Sequence, residues 1–475
     1  MALANTTNIN DLNPYLHGLY APVVEEVSAD GLAVTGEIPA DLNGLYVRNG
    51  PNPVAQPSGM HHWFDGEGML HGIRFEAGNA RYMNRFVKSS DFGNAGTGRP
   101  GIFSPSQSAD DRRTVYRDTG NTDVIVHGGR LLALWYISGQ PVAVDPETLD
   151  TTNVETFGGG LPKNVSAHSK TCPVTGELLF FDYDLYTPFM HVGSVSSKNE
   201  LSHYRSFELP GPRLPHDMGL TENYVILHDL PVVFTEAGMR NRMWQIHVAP
   251  QPTRFGVVPR PKNGEGFGDV KWFDFPTSYI YHVINSWEEG DEVVMAACKM
   301  VDNGLALNKS YGPYAPMVDV LALRAQPFLW RMNMKTGEGR EEQLDDALSE
   351  FPVVNLDWTG TKTRYSYHVV MDDCDLQRFA ALRKYDLSTG SYSQHNFPAG
   401  WYGSEPAFAP KNGVVTRGHA DAEDDGYVIS FVTCLETGAS EAHVIDAKDF
   451  SAPPIARIKL PQRVPAGFHG TWMAA

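Results

Sequence analysis

Short apolar runs alternate with polar turns along the whole chain. The segment VIVHGGRLLALW places Gly128-Gly129 between two apolar runs, which predicts a β-hairpin, and PVAVDPETLDT continues it with a second one. Comparable units recur downstream, and four of them turn at a threonine-glycine pair: Thr175-Gly176, Thr336-Gly337, Thr389-Gly390 and Thr437-Gly438. Apolar strands joined by tight turns from end to end predict an all-β chain.

The spacing of these units indicates how the strands are arranged. They recur every forty to seventy residues, roughly, without alternating strands and helices, which indicates a β-propeller of four-stranded blades. Helical periodicity is confined to short pieces such as REEQLDDALSE (residues 340–350), so we expect few helices. No linker divides the chain, and we predict one domain over residues 1–475. The irregular segments 89–120 and 302–330 are predicted to cap one face.

Composition and charge narrow the function. The chain has 475 residues, a formal net charge of −18 and a 42% hydrophobic fraction, which allows a large core and disfavours nucleic acid as a partner. The first twenty residues have neither a basic start nor an apolar run, and no stretch is long enough for a transmembrane helix. The 4 cysteines form no CxxC pair. We therefore expect free thiols and a cytoplasmic location.

Four histidines are the strongest candidates for chemistry. They lie far apart, in NVSAHSK (His168), LPHDMGL (His216), YHVINSWEE (His282) and VPAGFHGTW (His469). Inner strands of a propeller point at its axis, so four blades could bring them together. Imidazole suits iron, copper, zinc or nickel, and the lack of cysteine or carboxylate partners narrows that choice. If they converge, we expect a non-haem Fe(II) with two positions open for dioxygen. Taken singly, each histidine is explained more simply as a hydrogen-bonded core residue.

Several longer blocks, in the same order, resemble the carotenoid cleavage oxygenase family. They are GEIPADLNGLYVRNGPNP (residues 36–53), HHWFDGEGMLHGIRF (61–75), NTDVIVHGGRLLAL (121–134) and the four histidine contexts ending in GFHG. The family includes carotenoid, apocarotenoid and stilbene-cleaving dioxygenases and the retinoid isomerase. The resemblance implies a seven-bladed β-propeller capped by loops and short helices over a central iron site. It also implies that the iron ligands are His168, His216, His282 and His469.

The resemblance further implies carboxylates around the iron. Four neutral imidazoles leave the ion's charge uncompensated, and carboxylates that accept their outer N–H groups would offset it. The family's EFP and SEP motifs match SEFPVVN and SEPAFAP, which assigns this role to Glu350 and Glu405. A third glutamate is expected after LLALW, where this chain reads YISG (residues 136–139). We interpret Ile137 as standing in place of that missing carboxylate.

The expected reaction is oxidative cleavage of an alkene. Fe(II) would activate dioxygen beside a double bond held in a dry, apolar tunnel, giving two carbonyl products. The segment NPYLHGLYAPV resembles bacterial stilbene cleavers, so we expect a small apolar or aromatic alkene, stilbenoid or phenylpropanoid, with apocarotenoids as the alternative. The tyrosine and lysine that hold a phenol in stilbene cleavers have no counterpart near Ile137 or in residues 89–104. Candidate tunnel residues are Met60, Tyr136, Ile137 and Tyr183, although ordinary core packing would explain the tyrosines and the methionine equally well.

Two other classes of propeller remain open from the sequence. One is a propeller that binds a ligand without catalysis. The other is a hydrolase with calcium in its central channel, but calcium requires oxygen ligands, and the four histidines argue against it. Metal analysis of the purified protein separates these classes, since only the oxygenase should contain about one iron per chain. The sequence gives no indication of the oligomeric state.

Overall fold

The computed structural model describes most of the chain. The described residues are 13–55, 57, 61–94, 117–234, 246–301, 323–372, 374, 376–413 and 416–475. Much of segments 89–120 and 302–330, predicted to form the cap, lies outside these ranges, as does Met60.

The described residues form thirty-four strands. The first half contains β1 (Ser28–Ala29), β2 (Val34–Gly36), β3 (Gly44–Arg48), β4 (Pro51–Asn52), β5 (Glu67–Glu76), β6 (Asn79–Phe86), β7 (Asp123–His127), β8 (Arg130–Leu134), β9 (Val142–Val144), β10 (Thr151–Val154), β11 (Lys170–Thr171), β12 (Leu178–Tyr183), β13 (Phe189–Val195), β14 (Leu201–Glu208), β15 (Gly219–Leu220), β16 (Tyr224–Asp229) and β17 (Val232–Phe234). The second half contains β18 (Ile246–Val248), β19 (Thr253–Pro259), β20 (Lys271–Phe275), β21 (Ile280–Glu289), β22 (Glu292–Met300), β23 (Ala325–Asn333), β24 (Gly339–Gln343), β25 (Ser349–Val353), β26 (Tyr365–Met371), β27 (Phe379–Asp386), β28 (Ser391–Asn396), β29 (Trp401–Tyr402), β30 (Ala407–Pro410), β31 (Gly426–Cys434), β32 (Ser440–Asp446), β33 (Ala456–Lys459) and β34 (Gly470–Ala474).

These strands assemble into the seven antiparallel blades of a β-propeller, which confirms the predicted fold class. From the inside outwards, blade 1 is β34-β3-β5-β6-β1, blade 2 is β7-β8-β9-β10, blade 3 is β11-β12-β13-β14 and blade 4 is β15-β16-β19-β20. Blade 5 is β21-β22-β23-β24, blade 6 is β25-β26-β27-β28 and blade 7 is β30-β31-β32-β33-β2. Strand β4 pairs with β5, β29 pairs with β31, and β17 and β18 form a separate hairpin.

Helical structure in the described part of the chain is limited to 3-10 turns. These are Pro14–Leu16, Gly18–Tyr20, Trp63–Asp65, Phe92–Asn94, Leu356–Trp358, Lys411–Gly413 and Ala420–Ala422. Over the same residues, no helix has the length and apolar character needed to cross a membrane.

Both ends of the described chain close the ring. Strand β34 pairs with β3 as the inner strand of blade 1, and β2 pairs with β33 at the outer edge of blade 7. A ring closed by its own strands leaves no open gap between the first and last blades. The one-domain assignment over residues 1–475 stays a prediction.

The turns between strands follow the glycine signals of the sequence. His127 pairs with Arg130, and Gly128 and Gly129 have φ angles of 56° and 73°. Positive φ at both central positions is what a type I′ hairpin turn requires, and glycine adopts it without steric cost. The glycine of each Thr-Gly pair likewise has a positive φ, between 69° and 81°.

Residues 340–350, expected to be helical, are not a helix. Arg340 to Gln343 belong to the outer strand β24, and Ser349 and Glu350 begin the inner strand β25. The apparent periodicity arises because an exposed edge strand carries charged residues on both faces, and pairing with β23 overrides weak helix propensity. The error matters because Glu350 is one of the candidate site residues.

Candidate metal centre

The four sequence-predicted histidines meet at one point on the propeller axis. Their nearest ring nitrogens all lie within 4.8 Å of one another, and all four residues are buried. Adjacent rings have centroids 4.5 to 5.0 Å apart. His168, His216 and His469 each lie just before an inner strand (β11, β15 and β34), and His282 lies within β21. Four different blades therefore supply one histidine each.

Local backbone irregularities aim two of these rings. His168 has a φ of 66°, an unusual conformation for a residue with a Cβ atom, and its backbone N–H donates to Asp123 Oδ2 at 3.0 Å. The register of β21 against β22 shifts between Ile280 and Val283, so that a bulge falls at His282. Both features change the direction of a side chain and cost conformational free energy, and backbone features of this kind are concentrated at functional sites.

Two carboxylates fix the outer nitrogens of two rings. His282 Nδ1 donates to Glu350 Oε2, and His469 Nδ1 donates to Glu405 Oε1 at 3.0 Å. A proton held on Nδ1 leaves the lone pair on Nε2, which is the ligand form of imidazole. Glu350 and Glu405 are thus positioned as the sequence motifs implied.

The inner nitrogens are left facing one another. His216 Nε2 lies 3.2 Å from His282 Nε2, and His168 Nε2 is a buried atom without a hydrogen-bond partner among the described residues. Lone pairs converging in a buried space are unfavourable unless a cation lies between them. Four imidazole nitrogens are donors suited to a transition metal such as iron, so the residues present fit a metal ion.

Burial sets the protonation of the cluster. Burial, followed by the charges of neighbouring histidines, lowers the pKa of His168 and His216 well below the usual value. The same causes lower the pKa of His282. Burial also lowers the pKa of His469, but the Glu405 carboxylate outweighs it and the net shift is upward. Three neutral rings in the cluster are ready to act as ligands without first losing a proton.

A third carboxylate, Asp123, was not recognised in the sequence. Its Oδ2 atom lies 4.0 Å from His168 Nδ1 and accepts the His168 backbone N–H, so it positions this histidine through the main chain. Asp123 opens β7 within the block NTDVIVHGGRLLAL, and its place directly before an apolar strand was the available signal. Its negative charge lies beside the cluster, where it would offset part of the charge of a bound cation.

Of the two residues that follow Trp135, Tyr136 contacts the histidine cluster, while the assignment of Ile137 to the place of the missing glutamate stays a prediction. The Tyr136 ring packs on His216 with centroids 4.8 Å apart, and His216 Nδ1 has no hydrogen-bond partner among the described residues. Ile137 is buried in the largest hydrophobic cluster. Tyr183 donates its hydroxyl to the Tyr136 carbonyl at 3.1 Å, so it braces the strand end behind the site.

The cluster lies between two different cavities. The aromatic cavity, of about 30 Å³, is bounded mainly by rings, among them Phe64, Trp135, Tyr136, Tyr281, Phe351 and Phe468. The axial channel, of about 380 Å³, is lined by the inner strands of the blades. His216 lines only the aromatic cavity, His168 only the channel, and His282 and His469 line both. A metal held by the four rings would therefore be reachable both from the aromatic cavity and from the axial channel.

Comparisons with known proteins agree with this arrangement. A family model described as retinal pigment epithelial membrane protein matches residues 20–474. A carotenoid 9,10(9′,10′)-cleavage dioxygenase of Crocus sativus is 35% identical, with 96% of this chain and 88% of that protein covered. The isoeugenol monooxygenase of Pseudomonas nitroreducens is 28% identical, with coverage of 98% and 99%. The crystal structure of the Pseudomonas brassicacearum lignostilbene dioxygenase superposes with a TM-score of 0.83 at 27% identity, covering 98% of this chain and 99% of that one.

Proposed function

Because the chain belongs to the family of retinal pigment epithelial membrane protein and the carotenoid cleavage oxygenases, we propose that it is an Fe(II) dioxygenase of stilbenoid or phenylpropanoid alkenes. His168, His216, His282 and His469 hold the iron, and Glu350 and Glu405 support two of them. One alkene and one O2 give two carbonyl products. The observation that carries the proposal is the convergence of four buried imidazole nitrogens beside an aromatic cavity.

The protein's own contribution is to position ligands and exclude water. When bound, iron supplies the activation of dioxygen. Glu350 and Glu405 hold protons on the outer nitrogens of His282 and His469, which keeps those rings oriented toward the centre. The aromatic side chains keep one face of the cluster dry, so that a reactive alkene bound there is shielded from solvent.

The lining of the aromatic cavity favours an aromatic substrate. Tyr136 and Tyr281 contact His216 with ring centroids 4.8 and 4.9 Å away, and Phe351 lies 5.0 Å from both His282 and His469. Offset and edge-to-face contacts between rings add about 0.5–1.5 kcal/mol each to the burial of apolar area. The cavity between the described residues is only about 30 Å³, so a planar ring conjugated to an alkene would make several such contacts, with its double bond near the histidines, once these side chains move apart to admit it. The similarity to an isoeugenol monooxygenase and a lignostilbene dioxygenase supports this substrate class.

Apocarotenoids are a second candidate substrate class. The 35% identity to a carotenoid 9,10(9′,10′)-cleavage dioxygenase over 96% of this chain favours them. Both classes present a conjugated alkene, so the same site would serve either. A cytoplasmic location for the enzyme remains part of the proposal.

Aerobic incubation with a 4-hydroxystilbene, its 4-methoxy analogue, isoeugenol and an apocarotenal tests the proposal. Ile137 cannot bind a phenolate, and no lysine lies nearby in sequence, so we expect cleavage of the methoxy compound to remain detectable. Product aldehydes measured by mass spectrometry decide the outcome. Cleavage of none of the four compounds by iron-loaded protein would contradict the proposed function.

A requirement for the free hydroxyl would overturn the expectation from Ile137. Tyr136, which lines the cavity, would then be the first suspect for holding the phenol. The matched variant is Tyr136→Phe, which keeps the ring that packs on His216 and removes only the hydroxyl. If Tyr136 binds the phenol, this variant should lose cleavage of the hydroxystilbene and leave the methoxy compound unaffected.

A further inference from the structure

We propose that the axial channel is the route by which a divalent cation reaches the four histidines. The inference rests on the metal-binding role proposed above and adds a path and a direction of entry. It assigns a function to the larger of the two cavities at the cluster, to which the function proposed above assigns none.

The channel connects the cluster with the surface. At its inner end lie His168, His282 and His469, which are 4–7% exposed. Farther along it runs between the inner strands, past Val353 on β25, which is half-buried. It also contacts Leu356, which is 48% exposed. A volume of about 380 Å³ is enough for an ion that keeps part of its water shell.

The charges along the channel favour a cation. Asp123, Asp217, Asp357 and Glu405 line it, and Lys170 is the only lysine or arginine among its described lining residues. Lys170 Nζ contacts Asp217 Oδ1 at 2.7 Å, so one of the four carboxylates is already neutralised. The three others leave an excess of negative charge between low-dielectric walls, which concentrates cations and increases their rate of entry.

The inner end of the channel offers a ligand. His168 Nε2 is a buried atom with no hydrogen-bond partner among the described residues, and of the two cavities its residue lines only the channel. Its backbone is held by Asp123, a residue of the channel wall. An arriving ion therefore exchanges water first for a nitrogen that no other group of the described protein satisfies.

The aromatic cavity is a poor path for the same ion. No aspartate or glutamate is among its described lining residues, which are mainly aromatic. Removing water from a divalent ion without replacing it by charged or polar ligands carries a large free-energy penalty. The separation of paths leaves the aromatic cavity for the organic substrate and the channel, which contains carboxylates, for the ion.

Val353→Trp tests the route by narrowing it. Val353 lines the channel and is not part of the metal site, while Val34 on the outer strand β2 is 40% exposed and provides the matched control Val34→Trp. Anaerobic apoprotein is mixed with Fe(II), the reaction is stopped with excess chelator at set times, and protein-bound iron is measured. Release from loaded protein into chelator is measured separately.

A narrowed channel and a damaged metal site change the kinetics of iron binding in different ways. We expect Val353→Trp to slow uptake and release by the same factor, about tenfold for an added barrier of about 1.4 kcal/mol. Because both rates change together, the iron affinity and the final stoichiometry should match those of Val34→Trp. The proposal would be overturned if Val353→Trp bound iron more weakly while taking it up at the wild-type rate. It would also be overturned if iron uptake and iron release in this variant both had wild-type rates.

Asp357→Asn gives a second test that does not depend on a bulky substitution. The amide keeps an oxygen to accept the Thr416 N–H, which Asp357 Oδ2 accepts at 2.8 Å, but it removes one channel charge. The rate of iron uptake should fall by roughly twofold to tenfold at low ionic strength. At high salt it should approach the wild-type rate, because dissolved ions screen the electrostatic attraction between the channel and the cation. An uptake rate equal to wild type at low salt would contradict the route. Absence of bound iron in wild-type protein at equilibrium would instead contradict the metal site itself.

Discussion

Replacing His282 by alanine is expected to abolish turnover and remove most of the bound iron while the propeller stays folded. The variant loses one of the four proposed ligands and also the partner of Glu350. Glu350 still accepts the Phe351 backbone N–H at 2.5 Å, so its carboxyl group keeps one hydrogen-bond partner. Loss of one buried hydrogen bond costs about 1–3 kcal/mol. That is less than the roughly 5–15 kcal/mol by which typical domains are stable, so the fold should survive.

A matched variant separates ligand loss from loss of a core histidine. His228 on β16 is buried, packs against Phe255 with centroids 5.1 Å apart, and takes no part in the cluster. His228→Ala should lower the melting temperature and retain about one iron per chain. Metal analysis together with thermal unfolding compares the two proteins. Wild-type iron content in folded His282→Ala would contradict the four-histidine site.

The features that could be predicted from the sequence are those that depend on local chemistry. A type I′ turn needs positive φ at two positions, and the pair Gly128-Gly129 predicts such a turn without any knowledge of where the hairpin lies in the fold. Alternating strands and turns likewise follow from side-chain periodicity. The seven blades and the grouping of the four histidines came from family resemblance, because no spacing rule relates His168 to His469.

Pairings between distant residues could not be predicted in this way. Asp123 contacts His168 across forty-five positions of sequence, and its role depends on the backbone of a neighbouring blade. An aspartate at the start of a strand usually does nothing more than cap a turn. Only the three-dimensional arrangement distinguishes this one from the many other carboxylates of an acidic chain.

Which residue after Trp135 contacts the histidines could not be predicted from the sequence. Trp135 and Ser138 are joined by a turn, in which the Ser138 N–H donates to the Trp135 carbonyl at 3.3 Å, so no strand periodicity fixes the directions of the two side chains between them. Tyr136 and Ile137 both belong to the largest hydrophobic cluster, and Tyr136 also contacts His216 and lines the aromatic cavity. The cluster thus has a tyrosine ring beside the histidine whose outer nitrogen lacks an acceptor among the described residues. We therefore expect Glu350, Glu405 and Asp123 to supply compensating negative charge for a bound cation.

Glu350→Gln is accordingly expected to weaken iron binding without weakening the empty protein. Glu350 is fully buried, and burial raises its pKa to about 8, which favours the protonated carboxyl when no cation is bound. Glutamine resembles that protonated form in shape and charge. A bound cation would stabilise the carboxylate instead, and only the wild-type residue can provide it. Changes of this kind in groups that support metal ligands typically cost roughly 10- to 100-fold in affinity or activity.

The readout is the melting temperature of Glu350→Gln with and without iron, measured together with turnover. At pH 7 the empty variant should unfold near the wild-type temperature, and the increase on adding iron should be smaller, since a tenfold loss of affinity removes about 1.4 kcal/mol of stabilisation. Glu342→Gln, an exposed position on β24, is the matched control and should behave as wild type throughout. Equal iron-dependent stabilisation in the two variants would show that the charge of Glu350 does not act on the metal.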